Sequence, residues 1–188
     1  MAALTKVCPT LVITTWPPAS ATISRTDQEV ILLITMVAPG SRPSSWLAIM
    51  AVTADGTTLV VADSYRASLV GFTIGDDGSL TDRRVWADLG DHNPDGICLD
   101  ADGAAWYADV PHEHCVRVRE GGEVLETVEL DRGAFACMLG GAEGRTLYTV
   151  GARWPGAAGL GDPTWVWDGQ VVSSPAPAPR AGWPGGSH

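Results

Sequence analysis

The stretch Asn93-Pro94-Asp95-Gly96-Ile97-Cys98-Leu99-Asp100-Ala101-Asp102-Gly103-Ala104-Ala105-Trp106-Tyr107-Ala108-Asp109 decides how this chain folds. Gly96 to Leu99 is a short apolar run, Asp102-Gly103 is a hairpin turn, and Ala105 to Ala108 is a second apolar run. The pattern recurs on both sides. Thr53-Ala54-Asp55-Gly56-Thr57-Thr58-Leu59-Val60-Val61-Ala62-Asp63 precedes it, and Gly141-Ala142-Glu143-Gly144-Arg145-Thr146-Leu147-Tyr148-Thr149-Val150 follows as a fainter copy. The anchoring residues Gly56, Gly103 and Gly144 are 47 and 41 residues apart.

A period of roughly 40–50 residues with several strands in each copy is the pattern of propeller blades. The second copy continues with Cys115-Val116-Arg117-Val118-Arg119, whose alternation predicts a half-buried strand, a turn at Gly121-Gly122, and a fourth strand over Val124 to Leu130. The first copy gives the same order: Met50 to Thr53, Leu59 to Ala62, Ser68 to Ile74, a turn at Asp77-Gly78, then Arg83 to Leu89. In the third copy, Trp165-Val166-Trp167 and Val171-Val172 are strand candidates, and Pro175 to Pro179 predicts an extended, polyproline-like segment. The fold expected is all-β, with about three propeller blades over residues 50–184 and a short tail at 185–188.

Residues 1–49 have another character. They hold one of the 22 glycines, two of the 22 acidic residues and 12 Ser or Thr, and carry a net charge of +1 (3 − 2) against −11 (9 − 20) for the remainder. A divergent or frame-shifted start gives such a break, and so does an ordinary N-terminal extension. Leu11 to Thr15 and Val30 to Val37 are strand candidates there.

With 12 basic and 22 acidic residues the net charge is −10, which argues against nucleic-acid or anionic-membrane partners that need a basic face. The longest apolar stretch, Val30 to Ala38, has nine residues, where a membrane-spanning helix needs about 20. Asp27 and Glu29 stand where a secretion signal would be positive. The four cysteines, Cys8, Cys98, Cys115 and Cys137, form no CxxC pair, which predicts buried, reduced thiols in a cytoplasmic protein.

Two metal-like patterns read as non-functional. Asp91 to Asp102 imitates a calcium loop, but such a loop needs flanking helices, and a β-patterned run follows Gly103. His112-Glu113-His114-Cys115 follows the helix breaker Pro111 and reads as a solvated loop.

The segments Asn93 to Gly103 and Trp106-Tyr107-Ala108-Asp109, with Arg83-Arg84-Val85-Trp86-Ala87-Asp88 before them and Phe135-Ala136-Cys137-Met138-Leu139-Gly140-Gly141 after them, resemble the family of regucalcin (senescence marker protein), gluconolactonase and luciferin-regenerating enzyme. The resemblance covers about Met50 to Pro184. It implies a six-bladed propeller with a divalent cation, calcium or zinc, on its axis, and hydrolysis of sugar lactones or related lactones. It also implies that Asp95 is a metal ligand and the general base. The family's mid-chain asparagine ligand aligns with Ala48, and no counterpart of its N-terminal glutamate ligand stands in residues 1–49, where Glu29 is the sole glutamate. Asp63 and Asp109 end the second strands of two copies, on the side of the Asp95 turn. They are candidates for supporting the ligands or facing substrate, or for hydrogen-bonding a loop. The alternatives are therefore an incomplete lactone hydrolase, a non-catalytic propeller fragment or binding module, and a half-ring that self-associates through its open blade edges.

Overall fold

The computed structural model describes residues 34–35, 47–156, 159 and 168–182. Among them every regular element is a strand except one 3-10 turn at Ser64–Arg66. β1 (Ile34–Thr35) and β2 (Leu47–Ala48) form a short antiparallel pair. Of the N-terminal strand candidates, Leu11 to Thr15 lies outside the described residues, and Val30 to Val37 is described at Ile34–Thr35 alone.

Three antiparallel meanders follow in chain order. The first is β3 (Met50–Val52), β4 (Thr58–Asp63), β5 (Ser68–Ile74) and β6 (Leu80–Asp88). The second is β7 (Pro94–Leu99), β8 (Ala105–Asp109), β9 (His114–Val118) and β10 (Val124–Glu129). The third has three strands, β11 (Gly133–Gly140), β12 (Thr146–Ala152) and β13 (Gly169–Pro175), the last containing Val171-Val172. The Trp165 to Trp167 candidate lies outside the described residues.

The repeat has a physical cause at its glycines. Gly56, Gly103 and Gly144 have φ of 75°, 77° and 67°, a left-handed conformation that a side chain disfavours. Each closes the same turn, its N–H donating to the carbonyl three residues back: Thr53 at 2.8 Å, Asp100 at 3.0 Å and Gly141 at 3.1 Å.

Alternation then sorts side chains to opposite faces of each sheet. Val60, Ala62 and Leu69 of the first sheet pack with Trp86, Ala87 and Leu89 against Ile97, Leu99, Ala105, Tyr107, Val116 and Val118 of the second. On the other face of the second sheet, Trp106, Ala108 and Cys115 meet Ala134, Cys137, Leu139 and Leu147 of the third. The second sheet is thus buried on both faces. This corrects the expectation for β9: Arg117 is only 8 % exposed, not on a solvated face. Its guanidinium donates to the buried Asp100 carboxylate at 2.7 Å and to Asp102 at 2.9 Å, so the charge enters the core already paired.

The segment after β13 bends instead of running on as polyproline. The N–H of Ala101 donates to the carbonyl of Pro179 (2.8 Å), and those of Arg180 and Ala181 donate to the carbonyls of Gly144 (2.9 Å) and Leu99 (3.0 Å). It straps the second and third sheets together. Cys98, Cys115 and Cys137 are free thiols, the last two buried.

The tightest approach between sheets is at Gly96, where a Cβ would lie 2.4 Å from Cα of Ala136 and 3.0 Å from the Phe135 carbonyl oxygen. Both neighbours are backbone, so the strands would have to part. Gly96→Ala should therefore destabilise the protein by about 1–3 kcal/mol, lowering the unfolding midpoint by at least about 3 °C. Gly169→Ala, whose Cβ would meet only the Gly151 carbonyl oxygen at 3.9 Å, should leave the midpoint within about 1 °C. Calorimetric melting of the two variants checks this.

Candidate functional site

One end of the second sheet gathers the titratable groups. Strand register puts Asp109 opposite Pro94 on one side and opposite His114 on the other, so three strands present adjacent residues there. The loop entering β7 adds His92 and Asn93, and the turn from β8 to β9 adds His112. Ser64 ties in the first sheet by donating to the carbonyl of Pro94 at 2.5 Å.

The Asp109 side chain is 0 % exposed. Burying a carboxylate without partners costs several kcal/mol, so its surroundings must compensate. The Asn93 N–H donates to Oδ2 at 3.0 Å, the His112 N–H approaches Oδ1 at 3.3 Å, and the His112 ring Nδ1 lies 2.9 Å from Oδ2. Two more imidazole nitrogens face the same oxygen, His114 Nε2 at 3.6 Å and His92 Nδ1 at 3.9 Å. The three ring centroids lie 4.9–5.6 Å apart. Nδ1 of His92 is hydrogen-bonded to the hydroxyl of the buried Tyr107. Nε2 of His114 is buried and has no hydrogen-bond partner. Burial holds the His114 pKa below its usual value, against the opposing pull of Asp109. His92, Asp109 and His114 each offer a ligand atom within 4.8 Å of the other two, an arrangement that could hold a metal ion.

The expectation of a solvated loop at His112 to Cys115 is thus corrected. His112 and Glu113 lie in a turn, but His114 opens β9 and Cys115 is fully buried. The calcium-loop pattern at Asp91 to Asp102 is spanned by β7, not by helices. Its Asp100 carboxylate accepts the N–H groups of Asp102 (3.0 Å) and Ala104 (3.1 Å), shaping the hairpin turn.

Asp95 stands on β7, half-buried and outside the imidazole group. No described residue hydrogen-bonds its carboxylate, and burial alone pushes its pKa up to about 6. Asp63 ends β4 and makes an ion pair with Arg66 at 3.5 Å. Of the two supporting candidates, Asp109 therefore occupies the centre of a cluster, and Asp63 holds a local surface pair.

Comparison with known proteins adds a family. The model described as SMP-30/Gluconolactonase/LRE-like region matches residues 48–153. A solved luciferin-regenerating enzyme is similar, with 20 % identity and a TM-score of 0.60 over 76 % of this chain and 49 % of its own. A calcium-binding protein, regucalcin, from Agrobacterium tumefaciens has 18 % identity and a TM-score of 0.55 over 71 % of this chain and 46 % of its own. These likenesses concern the fold, and the chain spans about half the length of either structure.

The buried Asp95 carboxyl has a consequence for stability. Its folded pKa of about 6 exceeds the ordinary 3.8, so the folded state holds the proton more tightly. The Asp95 contribution to stability should then be fully present below about pH 4, be lost as pH rises to about 6, and stay absent above it, with a total loss of up to about 3 kcal/mol. Asp95→Asn should remove that loss and melt higher than the parent at pH 7.5. Thermal melts of both proteins between pH 4 and 8 measure it.

Proposed function

The chain belongs to the SMP-30/gluconolactonase/LRE-like family, and from that premise we propose that it carries part of a lactone-hydrolase site, with Asp95 as general base. The observation that carries this reading is the Asp95 carboxylate itself: half-buried, without a hydrogen-bond partner among the described residues, and costly to keep there without a task. Above about pH 6 it is ionised. It takes a proton from water as the water oxygen attacks the lactone carbonyl. The tetrahedral intermediate collapses, the ring C–O bond breaks, and the alkoxide recovers the proton from the Asp95 carboxyl. The product is the open hydroxy acid.

The axial calcium or zinc of the family fits poorly here. Among the described residues the one group of three ligand side chains is His92, Asp109 and His114, which leaves Asp95 out.

The architecture this reading implies is a half-ring of about three blades. The outer face of the third sheet supports it: Met138 (64 % exposed), Val150 (47 %) and Val171 (68 %) project from three neighbouring strands with Tyr148, whereas the second sheet is packed on both faces. Such a patch favours association, with a second copy or with missing blades. The free thiols Cys98, Cys115 and Cys137 support a cytoplasmic setting. A second reading, a binding module without catalysis, is favoured by Ala48 at the aligned asparagine position.

Sedimentation and an aldonolactone-opening assay on one preparation separate the readings. The enzyme reading expects a dimer or larger species whose rate falls below about pH 6 and drops at least about 100-fold in Asp95→Asn. An associated, folded chain with no lactone opening above the Asp95→Asn background would leave the binding module.

A further inference from the structure

We propose that His92, Asp109 and His114 form a binding site for a zinc-class divalent cation, distinct from the axial position at Asp95. Three independent features of the fold converge on it. Strand register fixes Asp109 beside His114. Backbone N–H groups of Asn93 and His112 hold the Asp109 carboxylate in place, so its direction does not depend on a metal. Nε2 of His114 sits buried beside that carboxylate with no hydrogen bond, an unmet demand that a metal bond would satisfy.

The spacing suits small tetrahedral ions. Zinc–ligand bonds of about 2.0–2.1 Å place neighbouring ligand atoms about 3.3 Å apart. Nε2 of His114 and Oδ2 of Asp109 are 3.6 Å apart, and Nδ1 of His92 lies 3.9 Å from the same oxygen. The His92 and His114 nitrogens lie within 4.8 Å of each other, so a swing of the His92 ring by up to about 1.5 Å closes the site. In doing so His92 gives up its contact with the Tyr107 hydroxyl. His112, whose Nδ1 lies 2.9 Å from Oδ2, steadies the ligating carboxylate, as outer partners of metal ligands do.

The donor set selects the metal. Two imidazoles and one carboxylate suit zinc and its first-row neighbours, whereas calcium takes six to eight oxygens. Ion pairing alone accounts less well for the cluster, since one imidazolium balances Asp109 and three rings converge on it.

Titration of the metal-free full chain with zinc, by calorimetry and by competition with a chromophoric chelator at pH 7.5, tests the site. One equivalent should bind with micromolar affinity or better, and millimolar calcium should not displace it. Cobalt in its place should show the strong visible absorption of a tetrahedral site. His114→Gln and His92→Gln should each weaken zinc at least about 100-fold and abolish the cobalt spectrum. His92 enters from a half-buried loop position, so its variant carries the test if His114→Gln does not fold. Glu113→Gln, on the exposed turn, and Asp95→Asn should bind zinc as the parent does. Absence of zinc binding below millimolar concentrations, binding that survives both histidine substitutions, or binding lost in Asp95→Asn would each overturn the proposal.

Discussion

A carboxylate with no exposure to water organises one end of this protein. Asp109 cannot rely on solvent to stabilise its charge, and the loss of a buried partner costs several kcal/mol. The chain answers from three directions: the loop before β7, the turn after β8 and the first residue of β9 all aim N–H groups or imidazole rings at it. The conformation of residues 91–93 and 110–114 follows from that demand. The histidine cluster is a consequence of the same geometry, because any side chain at position 114 stands opposite position 109 across the hairpin.

The scaffold that sets this carboxylate in place is built from packing alone. Period-two alternation lets β7, β8 and β9 of the second sheet send apolar side chains to both faces, and the sheets stack in chain order. Where β7 passes β11, no room exists for a side chain at Gly96, and the Cys137 thiol donates to the Gly96 carbonyl at 3.3 Å. Among the described residues stacking ends at the third sheet, whose outer residues Tyr148 and Val150 are partly exposed to water. The molecule is thus most regular where it is enclosed.

Much of the fold is legible in the sequence. The strand expected at Ser68 to Ile74 forms with those limits, and the four-strand order of two copies follows from their hairpin glycines, each held at positive φ. Two features escaped local pattern reading. Arg117 alternates with valines as a solvated residue would, yet Asp100 and Asp102 draw it inward from across the sheet. His92 comes from the loop before β7 and His114 opens β9, and a motif scan sees only His112-Glu113-His114 beside a proline. Counting pairs outward from the turn that closes on Asp109 would have placed His114 opposite it. His92 had no such signal, because its position depends on the Asn93 N–H reaching Asp109. Asp95 as a site residue is an expectation of the family resemblance, whereas its lack of a hydrogen-bond partner among the described residues is a tertiary fact.

The central claim is that this chain's metal chemistry resides at its imidazoles and its carboxylate chemistry at Asp95. Diffraction from crystals grown with zinc, collected on both sides of the zinc absorption edge, addresses it most directly. The account predicts an anomalous peak at bonding distance from His92, Asp109 and His114. A peak on the Asp95 carboxylate with none between the imidazoles would contradict it.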